Sequence, residues 1–168
     1  AAWAANATAP AVLARAATEH RLTLVHVSTD YVFDGTAGRE RGQAHTEDEP
    51  FSPLGVYGQS KAAGDLAAAT TPRHYVVRTS WVIGEGGNFV RTMARLAGAG
   101  VSPSVVADQV GRLTFTSTLA AAIAHLLSAE APYGTYNVTN GGEPASWQQI
   151  AAAVFEQCGR PAADVSPT

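Results

Sequence analysis

Short β-branched runs alternate with helically spaced apolar stripes along this chain, and that alternation constrains its fold more than any other feature. Leu22-Thr23-Leu24-Val25-His26-Val27-Ser28 is nearly continuous and apolar, the pattern of a strand buried on both faces in a parallel sheet. Tyr75-Val76-Val77-Arg78-Thr79 repeats it, Val105-Val106 reads as a short strand, and Tyr136-Asn137-Val138 reads as an edge strand. Between them lie helical patterns. Trp3, Val12, Leu13 and Ala16 form a stripe running to about His20, with a kink expected at Pro10. Residues 57–69 form a second helix, and Phe89, Met93, Leu96 and Ala97 mark a third. Leu119, Ala122, Ile123, Leu126 and Leu127 mark an amphipathic fourth. Ser146 and Gln149 make a capping box for a fifth, whose face is Trp147, Ile150, Ala151, Val154 and Cys158, closed by Gly159 and Pro161. Helices alternating with buried strands imply an α/β fold built on a mainly parallel sheet. Asp34 to Pro53 has no periodicity and reads as a long surface loop, a length associated with function.

The charge pattern removes several function classes. Eleven basic and fourteen acidic residues give a net charge of −3, with no basic stretch, so no nucleic-acid partner is expected. Apolar runs fall far short of a membrane span. Cys158 is the single cysteine, which cannot form an internal disulfide; it fits a reducing cytoplasm and is expected to pack on a helix. Histidines 20, 26, 45, 74 and 125 show no metal-ligand spacing. The opening Ala1-Ala2-Trp3-Ala4-Ala5 has mid-helix character, so the expectation is a single partial domain over residues 1–168 whose natural start lies upstream.

Ten of the eleven basic residues are arginine, and the one lysine, Lys61, follows Tyr57 by four positions. On a helix that spacing stacks phenol and ammonium on one face. A nearby cation stabilises phenolate and brings tyrosine toward acid–base work. Five tyrosines and one lysine would give the spacing by chance about 3% of the time, and a solvated helical pair is the bland alternative. Upstream, Ser28-Thr29-Asp30-Tyr31 follows the first strand, at the end where parallel sheets bind ligands. Ser28 or Thr29 could bond a substrate carbonyl, and Asp30 and Tyr31 could read hydroxyls. Asp30 and Asp34-Gly35 equally suit a turn, the better reading for the second half of the motif.

Ser28-Thr29-Asp30-Tyr31-Val32-Phe33-Asp34-Gly35, Tyr57-x-x-x-Lys61, Arg78-Thr79-Ser80-Trp81-Val82, Asn88-Phe89-Val90 and Asp108-Gln109-Val110-Gly111 occur in one order. Together, from about Asn6 to Trp147, they resemble the dTDP-4-dehydrorhamnose reductases, which are extended short-chain dehydrogenase/reductases. The resemblance implies a Rossmann-type sheet with small C-terminal substrate-binding elements. It also implies reduction of the 4-keto group of a dTDP-linked 6-deoxy sugar by NADPH or NADH. Tyr57 then matches the general acid and Lys61 its partner, both also at the cofactor with Ser28. Thr29 matches the group orienting the keto oxygen, and Asp30, Tyr31 and Trp81 match positions facing the sugar. A tryptophan after a buried strand is also ordinary core, so Trp81 keeps both readings. Asn6 matches a helix position near the cofactor.

Three departures accompany the resemblance. No G-x-G-x-x-G or G-x-x-G-x-x-G is present, and neither Gly84-x-Gly86-Gly87 nor Gly141-Gly142 has the spacing or the strand–turn–helix setting to replace it. The family's pyrophosphate-binding turn would lie before Ala1 with the first strand–helix units, and without it this chain alone is expected to be inactive. Leu113 stands where members often have proline. Some members hold magnesium at a dimer interface through glutamates; the matching position is Ser117, so no magnesium is expected, while a homodimer stays open. Two other readings remain: a binding homologue of the methionine adenosyltransferase regulatory-subunit type, and a sugar-nucleotide epimerase or dehydratase.

Overall fold

A computed structural model describes residues 1–35 and 44–168. The loop expected at 34–53 contains no helix longer than a turn and no strand where it is described, and its positions 36–43 lie outside the described residues. In chain order the elements are α1 (Ala9–Glu19), β1 (Leu24–Thr29), α2 (Val56–Ala68), β2 (His74–Thr79), β3 (Val82–Ile83) and α3 (Phe89–Gly98). Then follow β4 (Ser104–Val105), β5 (Val110–Gly111), β6 (Thr114–Phe115), α4 (Thr116–Ser128), β7 (Gly134–Val138), β8 (Ala145–Ser146), α5 (Trp147–Gln157) and β9 (Ser166–Pro167). The α/β alternation expected from the periodicities is the observed one.

The described residues divide into two compact units. The first comprises Ala1–Ser80 and Thr118–Thr139. Its sheet has the order β1-β2-β7 and is parallel throughout, with Ser28 opposite Arg78 and Thr29 opposite Thr79. β7 is an edge strand among the described residues, as its pattern suggests. Tyr75, Val77, Leu119 and Leu126 form one buried cluster beside the sheet, and Val32, Phe33 and Ala62 another. β2 is buried almost throughout, whereas Val27 on β1 is exposed, because β1 is paired on one side only among the described residues. Burial on both faces therefore holds for the second predicted strand and not fully for the first.

The helix is irregular next to Pro10, as expected: Ala4–Thr8 is a π-helical turn that runs directly into α1 with helical dihedrals at Thr8, so the wide turn falls where the proline ring has no N–H to donate. The stripe is corrected: Trp3, Val12 and Leu13 are exposed, and Pro10, Ala14 and Ala17 are buried. Small side chains win that face because it packs against α2 at close range. A Cβ on Gly64 would lie 2.1 Å from the Asn6 carbonyl oxygen, so the backbones touch there.

The second unit comprises Trp81–Ser117 and Asn140–Thr168. Its core is Met93, Ala97, Val105, Ala151, Phe155 and Val165, between α3 and α5. Strands of two residues pair as β3 with β6, β4 with β9, and β5 with β8. The capping box forms as read: Ser146 Oγ accepts from Gln149 N (3.1 Å), and Ser146 N donates to Gln149 Oε1 (2.8 Å). Gly159 ends α5 with φ +78°, the left-handed conformation that favours glycine there. Cys158 is exposed, against expectation, because the buried side of α5 runs through Ala151 and Phe155. Gly84–Gly87 does sit between a strand and a helix, β3 and α3, so that part of the objection to it falls. The glycine spacing still differs, and Asn88 Oδ1 already caps α3 by accepting from Arg91 N (3.0 Å). No helix is long and apolar enough to cross a membrane among the described residues, and these contain no cluster of potential metal ligands.

Candidate functional site

The polar groups singled out in sequence converge at the carboxyl end of β1. Ser28 and Thr29 are buried there, and the chain turns directly into a single 3-10 turn, Asp30–Val32. Thr29 starts that turn: its Oγ1 accepts from Tyr31 N (3.2 Å) and donates to Asp30 Oδ1 (3.1 Å). The turn reading and the site reading of this motif therefore coexist in one hydroxyl. Burial pushes the Asp30 carboxyl above its usual range, although the Thr29 hydrogen bond works the other way. Ser28 Oγ and Thr79 Oγ1 are buried with no hydrogen-bond partner among the described residues. Unpaired buried hydroxyls are costly in a folded chain and mark a place where a ligand can supply the missing partner.

α2 brings the tyrosine and lysine to this corner. Its first turn lies against the 3-10 turn so closely that a Cβ on Gly58 would sit 2.1 Å from the Tyr31 carbonyl oxygen. Glycine after Tyr57 is thus required by the approach of two backbones. The Tyr57 and Tyr31 rings meet edge to face, with centroids 6.0 Å apart and planes at 75°, and both rings are exposed. Ser60 Oγ donates to the Tyr57 carbonyl (2.8 Å) and accepts from Asn6 Nδ2 (3.1 Å), so Asn6 steadies the helix turn carrying the phenol.

Lys61 stands one turn further along α2, on the same face as Tyr57. Its Nζ donates to the Val27 carbonyl on β1 (2.7 Å). Burial lowers its pKa below the ordinary lysine value, and the Asp65 carboxylate partly offsets this. Asp65 continues the stripe at the next i+4 position, a spacing legible in the sequence but not singled out there. It is buried, and its Oδ2 accepts from Arg78 Nε at 3.0 Å.

Trp81 lies in the other compact unit. Its indole stacks on Trp147 with centroids 3.7 Å apart and planes at 17°, and Phe89 packs on Trp147 at 4.5 Å. The backbone of Trp81 has φ +23°, unusual for a bulky residue, and a Cβ on Gly111 would come within 3.0 Å of its ring. Trp81 thus packs on a second indole while staying half-buried, so it is not ordinary core. Ser28, Thr29, Asp30, Tyr31, Tyr57 and Lys61 are brought together in the first unit, and Trp81 belongs to the second.

The family model described as the RmlD substrate binding domain matches residues 1–168. The chain belongs to that family. Spore coat polysaccharide biosynthesis protein SpsK of Bacillus subtilis is 44% identical over 146 residues, covering 86% of this chain and 49% of its own length. A dTDP-4-dehydrorhamnose reductase of Mycobacterium tuberculosis is 41% identical over 169 residues, covering 99% of this chain and 55% of its own. Among solved structures, the dTDP-4-dehydrorhamnose reductase of Bacillus anthracis in complex with NADP superimposes with TM-score 0.86 at 36% identity. That match covers 97% of this chain and 56% of the other. The chain thus spans about half the length of the curated relatives it matches, and its fold is the Rossmann-like α/β arrangement of the RmlD family.

Proposed function

We propose that the intact protein reduces the 4-keto group of dTDP-4-dehydro-L-rhamnose, giving dTDP-L-rhamnose, with NADPH or NADH as reductant. The observation that carries this reading is the placement of Tyr57 and Lys61 on one face of α2, beside the Thr29 turn at the carboxyl end of β1. Family membership, and relatives of this name at about two-fifths identity, support it. The residues fit a dinucleotide on one count: Ser28 Oγ is buried and unpartnered at that corner among the described residues. Ser28, Tyr57 and Lys61 are the groups that would hold its nicotinamide end. When bound, NAD(P)H supplies the hydride.

In this reading Tyr57 gives its phenolic proton to the C4 oxygen as negative charge builds there, and a donor already aimed at that oxygen avoids reorganisation at the moment of reaction. Lys61 steadies the phenolate left behind. Its ammonium has three donors, so holding the Val27 carbonyl leaves two for the phenolate and a ribose hydroxyl. Thr29 orients the keto oxygen by turning its hydroxyl proton away from Asp30. Asp30 and Tyr31 then contact the sugar, and Trp81 is assigned to the sugar as well. A cytoplasmic location belongs to this reading, consistent with a single unpaired thiol.

The test is NAD(P)H oxidation by the intact protein with the dTDP-linked keto sugar, wild type against Tyr57→Phe. Loss of a positioned general acid lowers kcat by about 10²–10⁴-fold. Equal rates in both proteins sink the Tyr57 assignment. Cofactor binding without any turnover identifies a binding homologue instead, and tightly retained NAD without net oxidation identifies an epimerase.

A further inference from the structure

Arg78 has no role in the reading above, yet among the described residues of the first unit it is a heavily engaged cation. It sits one residue before the end of β2 and is almost fully buried. Its Nε donates to Asp65 on α2 (3.0 Å), and its Nη1 donates to the Glu47 carbonyl (3.0 Å). The guanidinium lies over the rings of Phe51 (4.9 Å) and Phe33 (5.3 Å). A buried guanidinium is tolerated only when its donors are matched in this way.

Glu47 carries the chain onward to the sheet. Its Oε1 accepts from Asn137 N on β7 (2.9 Å), and Asn137 Nδ2 donates to the His45 carbonyl (3.0 Å). The His45 ring stacks on Phe33, with centroids 4.3 Å apart and planes at 7°. The segment is also tied at its far end, where Ser52 N donates to the Val32 carbonyl (3.0 Å) and Ser52 Oγ accepts from Asp34 N (3.1 Å). Residues 45–52 are therefore fastened at both ends beside the Asp30–Val32 turn, and Arg78 joins that fastening to the helix of Tyr57 and Lys61.

We propose that Arg78 is a positioning residue: through Asp65 and the Glu47 carbonyl it locks segment 45–52 to α2, and so sets the wall of the keto-sugar site beside Asp30 and Tyr31. Substrate placement rests on the reductase reading; the locking itself does not. Lysine at position 78 keeps the charge but cannot serve both Asp65 and Glu47 with a planar fork.

The test is Arg78→Lys in the intact protein, followed by amide hydrogen exchange and steady-state kinetics. Amides in 45–52 and Asn137 are expected to exchange about tenfold faster or more, the equivalent of losing one charge-assisted hydrogen bond, while β1 and β2 keep their protection. The KM for the sugar nucleotide is expected to rise by about tenfold with kcat little changed, the sign of lost placement rather than lost chemistry. Unchanged exchange in 45–52 overturns the proposal, as does a fall in kcat at constant KM. If Arg78→Lys fails to fold, Asp65→Asn withdraws the carboxylate that anchors Arg78 to α2 and is expected to speed exchange in 45–52 in the same direction, less far; unchanged exchange there overturns the proposal. Should the wild type turn over no keto sugar, accelerated exchange confined to 45–52 still upholds the locking role, and only the reductase reading falls.

Discussion

The unit containing the candidate site and the unit containing Trp81 solve the problem of a small core in opposite ways. Among the described residues, the buried polar and charged side chains lie in the first unit except for Thr114 and Ser146. The first unit takes Asp65 and Arg78 out of water and leaves the Ser28 and Thr79 hydroxyls without a partner among the described residues. The second relies on apolar contact between α3 and α5 and on stacked indoles, and it accepts a strained Trp81 backbone to obtain the stack. The difference teaches where chemistry can sit. A corner lined by unsatisfied hydroxyls and shifted ionisable groups is poised to exchange partners with a ligand, whereas the buried apolar contact of Met93 and Ala97 with Ala151 and Phe155 is already filled.

That contrast can be broken most decisively at Trp147. Replacing it with alanine removes both the Trp81 and the Phe89 contacts, and a loss of about 2–3 kcal/mol is expected, below that of a fully buried aromatic because Trp147 is half-buried. Hydrogen exchange should show lost protection within Trp81–Ser117 and Asn140–Thr168 before Ala1–Ser80. Simultaneous loss in both would mean that the two units do not differ as described. A smaller probe in the same unit is Ser146→Ala, which removes one half of the capping box. About 1 kcal/mol of stability should disappear, measured by denaturant midpoint, with no effect on the chemistry assigned to Tyr57.

The finest test of the contrast is pH. Burial holds the Lys61 pKa below the ordinary lysine value, with Asp65 opposing. If the lysine cation is needed to steady the phenolate, activity falls as pH rises through that lowered value, so the alkaline limb of kcat/KM lies on the acid side of ordinary lysine. Asp65→Asn withdraws the opposing charge and should move the limb further toward neutrality. A limb that stays put would remove Lys61 from that role.

Much of this arrangement is legible in the sequence. The helix boundaries of α2 and α5, the capping box and the Tyr57–Lys61 register are local properties, set by 3.6 residues per turn and by side chains reaching their own backbone. The exposed stripe of Trp3, Val12 and Leu13 marks the limit of such reasoning. Hydrophobicity selected the larger residues, while close packing selected alanine and proline, since only small side chains admit the contact of Asn6 with Gly64. Cys158 fails for a related reason: periodicity placed it on a stripe without showing which neighbouring stripe α5 would bury.

The sequence alone determined the alternation of elements, the strand-end position of Ser28, Thr29, Asp30 and Tyr31, and the helical pairing of Tyr57 with Lys61. Only the tertiary structure decided that Gly58 lets α2 abut Tyr31, that Asp65 meets Arg78, and that Arg78 reaches a loop carbonyl 31 positions away. Spacing within one element follows from backbone geometry. Contacts between elements depend on which faces close on one another, and that choice belongs to the packing of the whole unit.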